Sequence, residues 1–354
     1  MAKASPVTET LGFEYTHVMR NREIDIIRSI LTIIVIAFHA CCPYFSKTWS
    51  LVPTMHEENS VLYTYIGHTL YNGMLETFVL LSGFLYANTL KSRLTIDFCK
   101  KKILRLYIPC LLWGCIYSKL FCQDCSIINI VNGIGHLWFL PMLLWLFILE
   151  RLVNKLYSIG CKDYHVFIIL SIISIIPIPT LPLGLGSSLY YMLFFHCGVF
   201  LNRNYKPFIS KIQAMNIWHM LIFTSCCALT IIGITELESP APNQPLTLKT
   251  LLIFRTKLIH GAGAIAALPI YWKIATITSK KISQHVPILS LAKCSLGIYI
   301  LQEFALRFLF YRTSFCVYFG DFSPILSVPI VLSISWFATT ILTRYKTTKI
   351  LTGY

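Results

Sequence analysis

Ile26-Ile-Arg28-Ser-Ile-Leu-Thr-Ile-Ile-Val-Ile-Ala-Phe-His39-Ala-Cys-Cys-Pro-Tyr-Phe45 is a twenty-residue run with no acidic side chain and only an arginine and a histidine as basic ones. A helix of that length rises about 30 Å, the thickness of a bilayer's hydrocarbon core. Similar runs follow at 65–90, 103–121, 136–154, 164–180, 185–201, 213–235, 258–278, 287–306 and 324–343, ten in all. Of the 354 residues 56% are hydrophobic and only 13% charged, about half the charged share of a soluble domain. A water-soluble enzyme and a disordered chain are both excluded, because neither could solvate so much apolar surface. The expected fold is all-α, a polytopic membrane bundle of ten transmembrane helices with both termini cytoplasmic. Residues 1–21 form a polar cytoplasmic tail, 22–345 the membrane domain and 346–354 a second cytoplasmic tail. The first 21 residues hold no apolar h-region, so the first span serves as its own insertion signal.

The net charge of +15 would point to nucleic acid in a soluble chain, but its placement says otherwise. With the N-terminus cytoplasmic, 23 lysines and arginines fall on the inside segments and 7 outside. That asymmetry is the positive-inside rule, so the charge orients the bundle and nucleic acid is not an expected partner. Thirteen cysteines lie mostly inside apolar runs, where they serve as small apolar side chains. Cys122 and Cys125, on the expected outer side, are spaced for a disulfide or a free pair. No His or Cys group supports a metal site there.

Ionisable groups inside spans cost roughly 2.5–3.5 kcal/mol each on insertion scales, so they mark where function is sought. Arg28 and His39 are eleven residues apart, which puts them on one helix face about 16 Å apart along the axis. His68, Asn72 and Glu76 recur every four residues and would stack on one stripe of a continuous second helix, with Glu76 at a depth like that of His39. An imidazole and a carboxyl at similar depth point to proton transfer, in catalysis or transport. The plain alternatives are a packed histidine, a snorkelling arginine and a Glu that ties helices together. Lys102 and Arg105 sit three residues apart in the densest basic loop, able to grip phosphates or simply to meet lipid headgroups. His136, Trp138 and Phe139 open the fourth span, where an aromatic belt and an interfacial cap are the plain reading. Glu303 and Arg307, four apart, read as a salt bridge at the rim.

Taken in order, these motifs resemble the acyltransferase-3 family of integral-membrane O-acyltransferases, in particular its fucose-O-acetylase-like branch. The resemblance rests on Asp25 to Arg28 followed by His39, and on Glu76 to Phe84 with Ser82-Gly83-Phe84. It extends to Lys102 and Arg105 before Leu106-Tyr-Ile-Pro109, His136-Leu-Trp138-Phe-Leu, and Leu296-Gly-Ile-Tyr299-Ile-Leu. It spans nearly the whole bundle, and implies ten helices, cytoplasmic acyl-CoA as donor and a sugar hydroxyl of an envelope glycan as acceptor. His39 then matches the family's essential histidine, Arg28 its paired basic residue, and Lys102 and Arg105 its paired-arginine motif, with lysine first. Gln302 stands where the family often has His; an amide can orient a substrate but cannot shuttle a proton. The hydrolase-like outer domain of some members is missing, so either the bundle acts alone or a separate envelope protein finishes the transfer.

The expected mechanism follows. Arg28, Lys102 and Arg105 hold the phosphates of acyl-CoA, most simply acetyl-CoA, which visits as a substrate; no permanently bound cofactor or metal is needed. His39 acts as general base on the acceptor hydroxyl, and Glu76 orients or stabilises its ring. The acceptor is an envelope glycan or lipid-linked saccharide, and the location the cell membrane, the inner one in a bacterium. The rival class is a proton-coupled transporter or glycan exporter with His39 and Glu76 as a relay; a third is an inactive membrane scaffold in which His39 is dispensable.

Overall fold

A computed structural model describes residues 22–46, 48–88, 96–121, 126–176, 181–223, 225, 246–281 and 287–354. The tail 1–21, Lys47, Lys91 and Arg93 of the basic loop, Cys122 and Cys125, the prolines of 177–180, Asn243, and positions 224 and 226–235 of the seventh expected span lie outside the described residues.

Among the described residues the regular structure is all helical, as hydrocarbon demands when no water is present to satisfy backbone groups. Helix α1 (Arg22–Cys41) is the axis of the bundle. Its β-branched residues pack outward on all sides, and Ser29 and Thr32 turn their hydroxyls back to the carbonyls of Asp25 and Arg28. Around it stand α2 (Ser60–Tyr71), α3 (Met74–Ala87), α11 (Leu246–Lys281), α12 (Pro287–Arg312) and α14 (Ser323–Leu342). A second group comprises α4 (Ile96–Lys102), which runs through a π turn (Ile103–Tyr107) into α5 (Ile108–Phe121), then α6 (Ile127–Asn132) and α7 (Phe139–Ser158). It continues with α8 (Asp163–Ile175), α9 (Leu185–Arg203) and α10 (Tyr205–Ala214); α13 (Phe315–Phe319) is a short turn before α14.

Among the described residues, seven helical segments are long and apolar enough to cross a membrane: Arg22–Tyr44, Ile96–Phe121, Gly135–Ser158, Pro182–Arg203, Thr250–Lys281, Ile288–Arg312 and Phe315–Arg344. The expected second span departs from one continuous helix. It is two helices, α2 and α3, that meet at Asn72 and Gly73, where Gly73 takes φ 73°. Only glycine enters that region freely, and a Cβ at Gly73 would stand 3.0 Å from Ala264 and Ala267 of α11. The fifth expected span is the 13-residue α8. The eighth is longer than expected: α11 has 36 residues, about 54 Å of rise.

Large apolar side chains such as Ile168 and Ile172 on α8 and Ile334 and Phe337 on α14 point outward, which suits a lipid-facing surface. The start of α1 and the last residues of the chain lie at one end of the bundle. There the Trp113 indole donates to the Leu351 carbonyl (2.7 Å), and Arg105 sits 5.8 Å from the Tyr354 ring.

Candidate functional site

Two cavities lie side by side within the bundle. The first, of about 280 Å³, is lined by Arg28, Ser82, Tyr86, Lys102, Arg105, Phe147, Ser295 and Tyr299, among others. The π turn between α4 and α5 carries Arg105 and begins just after Lys102. Such bulges are common where a helix must re-aim side chains, and here both cations front the same cavity. Arg28 donates to Ser295 Oγ (2.8 Å) and lies 3.9 Å from Asp25 Oδ1, so Asp25 steadies the cation from the previous turn of α1. The Lys102 ammonium stands 3.4 Å above the centre of the Phe147 ring, a cation–π contact. Arg151, which the sequence marked only as an inside charge, is buried beside this group: its Nε donates to the Tyr86 hydroxyl and its guanidinium lies 4.9 Å from the Phe98 ring.

The Ser82-Gly83-Phe84 segment divides its labour. Ser82 faces the cavity, its hydroxyl donating to the Phe78 carbonyl (2.9 Å). Gly83 faces the other way, against α9, where a Cβ would collide with the Phe195 carbonyl; Gly198 of α9 meets the Leu80 carbonyl in the same fashion. Reciprocal glycines let two helix backbones touch. Phe84 is buried behind them, and its carbonyl accepts from Asn202 (3.0 Å).

The second cavity, of about 260 Å³, is lined by Val35, Phe38, His39, Tyr71, Met74, Leu75, His136, Trp138 and Tyr299. Nδ1 of His39 lies 2.9 Å from the Val35 carbonyl. A carbonyl can only accept, so the ring proton sits on Nδ1 in the neutral form and Nε2 keeps its lone pair. Gln302 is fully buried, and its amide nitrogen lies 3.1 Å from the same Nδ1 while Oε1 is unpaired. With the proton on Nδ1, the amide fits better with its oxygen turned to the ring. In either orientation one end of the amide is left for another partner.

Nε2 of His39 stands 3.9 Å from Glu303 Oε2. That is too long for a hydrogen bond, and it leaves the carboxylate beside the ring edge that carries the lone pair. Glu303 is firmly held. Oε1 accepts from the Tyr117 hydroxyl (2.7 Å) and Arg307 Nε (2.9 Å), and Oε2 lies 2.8 Å from His136 Nδ1, at ion-pair distance but off the axis of a hydrogen bond. The other nitrogen of His136 donates to the Ile300 carbonyl (2.9 Å), and the Tyr299 hydroxyl donates to the His136 carbonyl. Three helices, α1, α5 and α12, and a 3₁₀ turn (Gly135–Trp138) thus converge on one carboxylate beside His39.

Several expectations are corrected here. Glu303 and Arg307 do pair, but at 2% and 8% exposure they are interior groups and not a rim bridge. His136 is buried at 4% rather than capping an interface, and Trp138 faces the His39 cavity. Glu76 is buried too, but its partner is the Tyr190 hydroxyl (3.3 Å), and no ion pair joins it to His39 among the described residues. The break at Gly73 removes the continuous stripe on which His68, Asn72 and Glu76 were to stack. Tyr117 and Arg307, which carry Glu303, gave no sign in the sequence beyond the four-residue spacing of Glu303 and Arg307.

A second buried histidine–carboxylate pair joins α7 to α9. His196 Nδ1 lies 3.0 Å from Glu150 Oε1, and its Nε2 lies 3.0 Å from the Tyr157 hydroxyl. It lines neither cavity.

Residues 21–344 match the family model described as an acyltransferase domain. The chain belongs to the acyltransferase-3 family. No curated protein and no solved structure matches it. This membrane acyltransferase therefore carries, along the matched length, both the cation-lined cavity and the His39 cavity. The acyltransferase's two cavities have two lining residues in common, Leu75 and Tyr299.

Proposed function

We propose that the protein is a multi-pass O-acyltransferase of the cell membrane, of the fucose-O-acetylase-like branch, which moves an acetyl group from cytoplasmic acetyl-CoA to a hydroxyl of an envelope glycan or lipid-linked saccharide. The observation that carries this reading is the adjacency of the two cavities: three cations front one, an imidazole with a free lone pair fronts the other, and they share a wall. Arg28, Lys102 and Arg105 supply the charge to hold the donor's phosphates. Arg105 offers a planar fork to a phosphate, Lys102 a point charge. The ten-span arrangement with both ends cytoplasmic puts these cations at the cytoplasmic face.

The pantetheine arm runs along the apolar wall of the first cavity toward His39. His39 Nε2 takes the proton of the acceptor hydroxyl, the oxygen attacks the thioester carbonyl, the carbon–sulfur bond breaks, and the sulfur leaves with the proton from His39. Glu303, rather than Glu76, lies where the imidazolium forms and offsets its charge. The unpaired end of the Gln302 amide orients the acceptor hydroxyl, and Trp138 offers an aromatic face to a sugar ring. Either the bundle acts alone or a separate envelope protein finishes the transfer. Purified protein in vesicles, given labelled acetyl-CoA and saccharide extracted from the envelope, tests this directly. Coenzyme A release with label on the saccharide is the expected result. Saccharide flux without acyl transfer would replace it with the transporter.

A further inference from the structure

The two residues common to both cavities come from two different helices, α3 and α12, and they differ in how they are held. Tyr299 of α12 is fixed: its hydroxyl donates to the His136 carbonyl, and its ring lies 5.4 Å from that of His136 and 5.3 Å from that of Phe139. Leu75 is the second residue of α3. Its backbone is set by the turn at Gly73, which lies against Ala264 of α11 with no room for a side chain. Its side chain, by contrast, is held by packing alone. The lining that the two cavities share is therefore one fixed aromatic side chain and one aliphatic side chain.

We propose that Leu75, closing against Tyr299, sets the width of the acyl group that this enzyme can transfer. The inference rests on the proposed donor path. A donor anchored by its phosphates at Arg28, Lys102 and Arg105 must bring its acyl group to His39 ahead of its sulfur. The acyl group therefore passes between Leu75 and Tyr299 first. A straight pantetheine arm and an acetyl group have similar cross-sections, whereas a branch at the α-carbon widens the group at the tightest point. Each added methyl in a close apolar passage discriminates by about tenfold or more. Tyr299 cannot yield without releasing the His136 carbonyl, so selectivity falls to Leu75.

The test compares isobutyryl-CoA with acetyl-CoA as donors for purified, membrane-inserted protein, measuring coenzyme A release and acylated product. Leu75→Ala widens the divide and should raise the isobutyryl-to-acetyl ratio of kcat/KM by about tenfold. Leu75→Phe narrows it and should lower the same ratio. Leu75→Met, close in volume, serves as the control for folding and should leave the ratio within about twofold. Shifts in opposite directions for Ala and Phe support the proposal. Acetyl transfer by the parent with an unchanged ratio in both variants overturns the width gauge while leaving the acyltransferase reading intact. No acyl transfer by the parent from any donor overturns the donor path, and this inference with it.

Discussion

Among the described residues Glu150 is paired with a buried His196, whereas Glu303 lies against both His39 and His136, and the proposed chemistry rests on the contrast between the two carboxylates. His196 and Glu150 lie 3.0 Å apart with side chains 1% and 0% exposed, closed off between α7 and α9. Their remaining bonds run inward to Tyr157. His39 and Glu303 stand farther apart, at 3.9 Å, and the His39 side chain is 12% exposed toward a cavity. Glu303 is anchored from behind by Tyr117 and Arg307 and turns one oxygen toward two imidazoles. The same residue types are thus held in different ways. A closed pair ties helices together; a loose pair beside a cavity, with its carboxylate anchored elsewhere, can accept a proton and give it back.

That contrast can be broken or sharpened by substitution. His39→Ala removes the proposed base without burying a charge, and coenzyme A release should fall by about 10³-fold in protein that still inserts. His196 and Glu150 should respond in stability. Glu150→Gln keeps the shape but weakens a charge-assisted contact, costing about 1–3 kcal/mol, read as a lower melting temperature in detergent. Arg105→Ala should raise KM for acetyl-CoA by about tenfold with a smaller change in kcat, since the proposed contact is to phosphate. Arg105→Lys should recover only part of that loss.

The smallest effect concerns the loop outside the His39 cavity. His56 donates its backbone N–H to Asp321 Oδ1 (2.8 Å), and its ring nitrogen lies 2.7 Å from Oδ2. The Tyr44 hydroxyl shares Oδ1 (2.7 Å), and Arg307 donates to the Thr48 carbonyl (3.2 Å). The hydrogen bond to Asp321 holds the exposed His56 imidazole above its ordinary value of 6.5. A folded-state shift upward means the contact's contribution is full below about pH 6.5 and lost as pH rises through the raised value. The protection of amides in residues 48–56, taken as hydrogen exchange relative to the intrinsic rate at each pH, should therefore fall modestly on going from acid to alkaline pH, and His56→Ala should flatten that dependence.

The bundle was legible because hydrocarbon imposes length and composition on each helix. Arg28 and His39 were legible for a related reason: helical spacing alone puts them on one face, and they do line adjoining cavities. Glu76 misled because a glycine in an apolar run looks like one more small residue, whereas Gly73 takes a left-handed turn that ends α2 and starts α3. Glu303 was hidden by its own neighbour. A glutamate four residues before an arginine on a helix reads as a surface pair, and nothing local shows that Tyr117 and His136 arrive from other helices to bury it. Glu150 and His196, 46 residues apart, were invisible for the same reason. Periodicity reports a face of one helix; it does not report which face of another helix comes to meet it.

The central claim is that Glu303 works on His39 chemistry while Glu150 only holds helices. The direct measurement is coenzyme A release per folded molecule, at saturating acetyl-CoA, for Glu303→Gln and Glu150→Gln side by side. Glu303→Gln should lose about 10²-fold in kcat with its melting temperature and donor KM shifted far less, because an amide cannot stabilise an imidazolium as a carboxylate does. Glu150→Gln should melt earlier yet turn over like the parent while folded. Equal turnover in the two variants, or the greater loss in Glu150→Gln, would contradict the assignment.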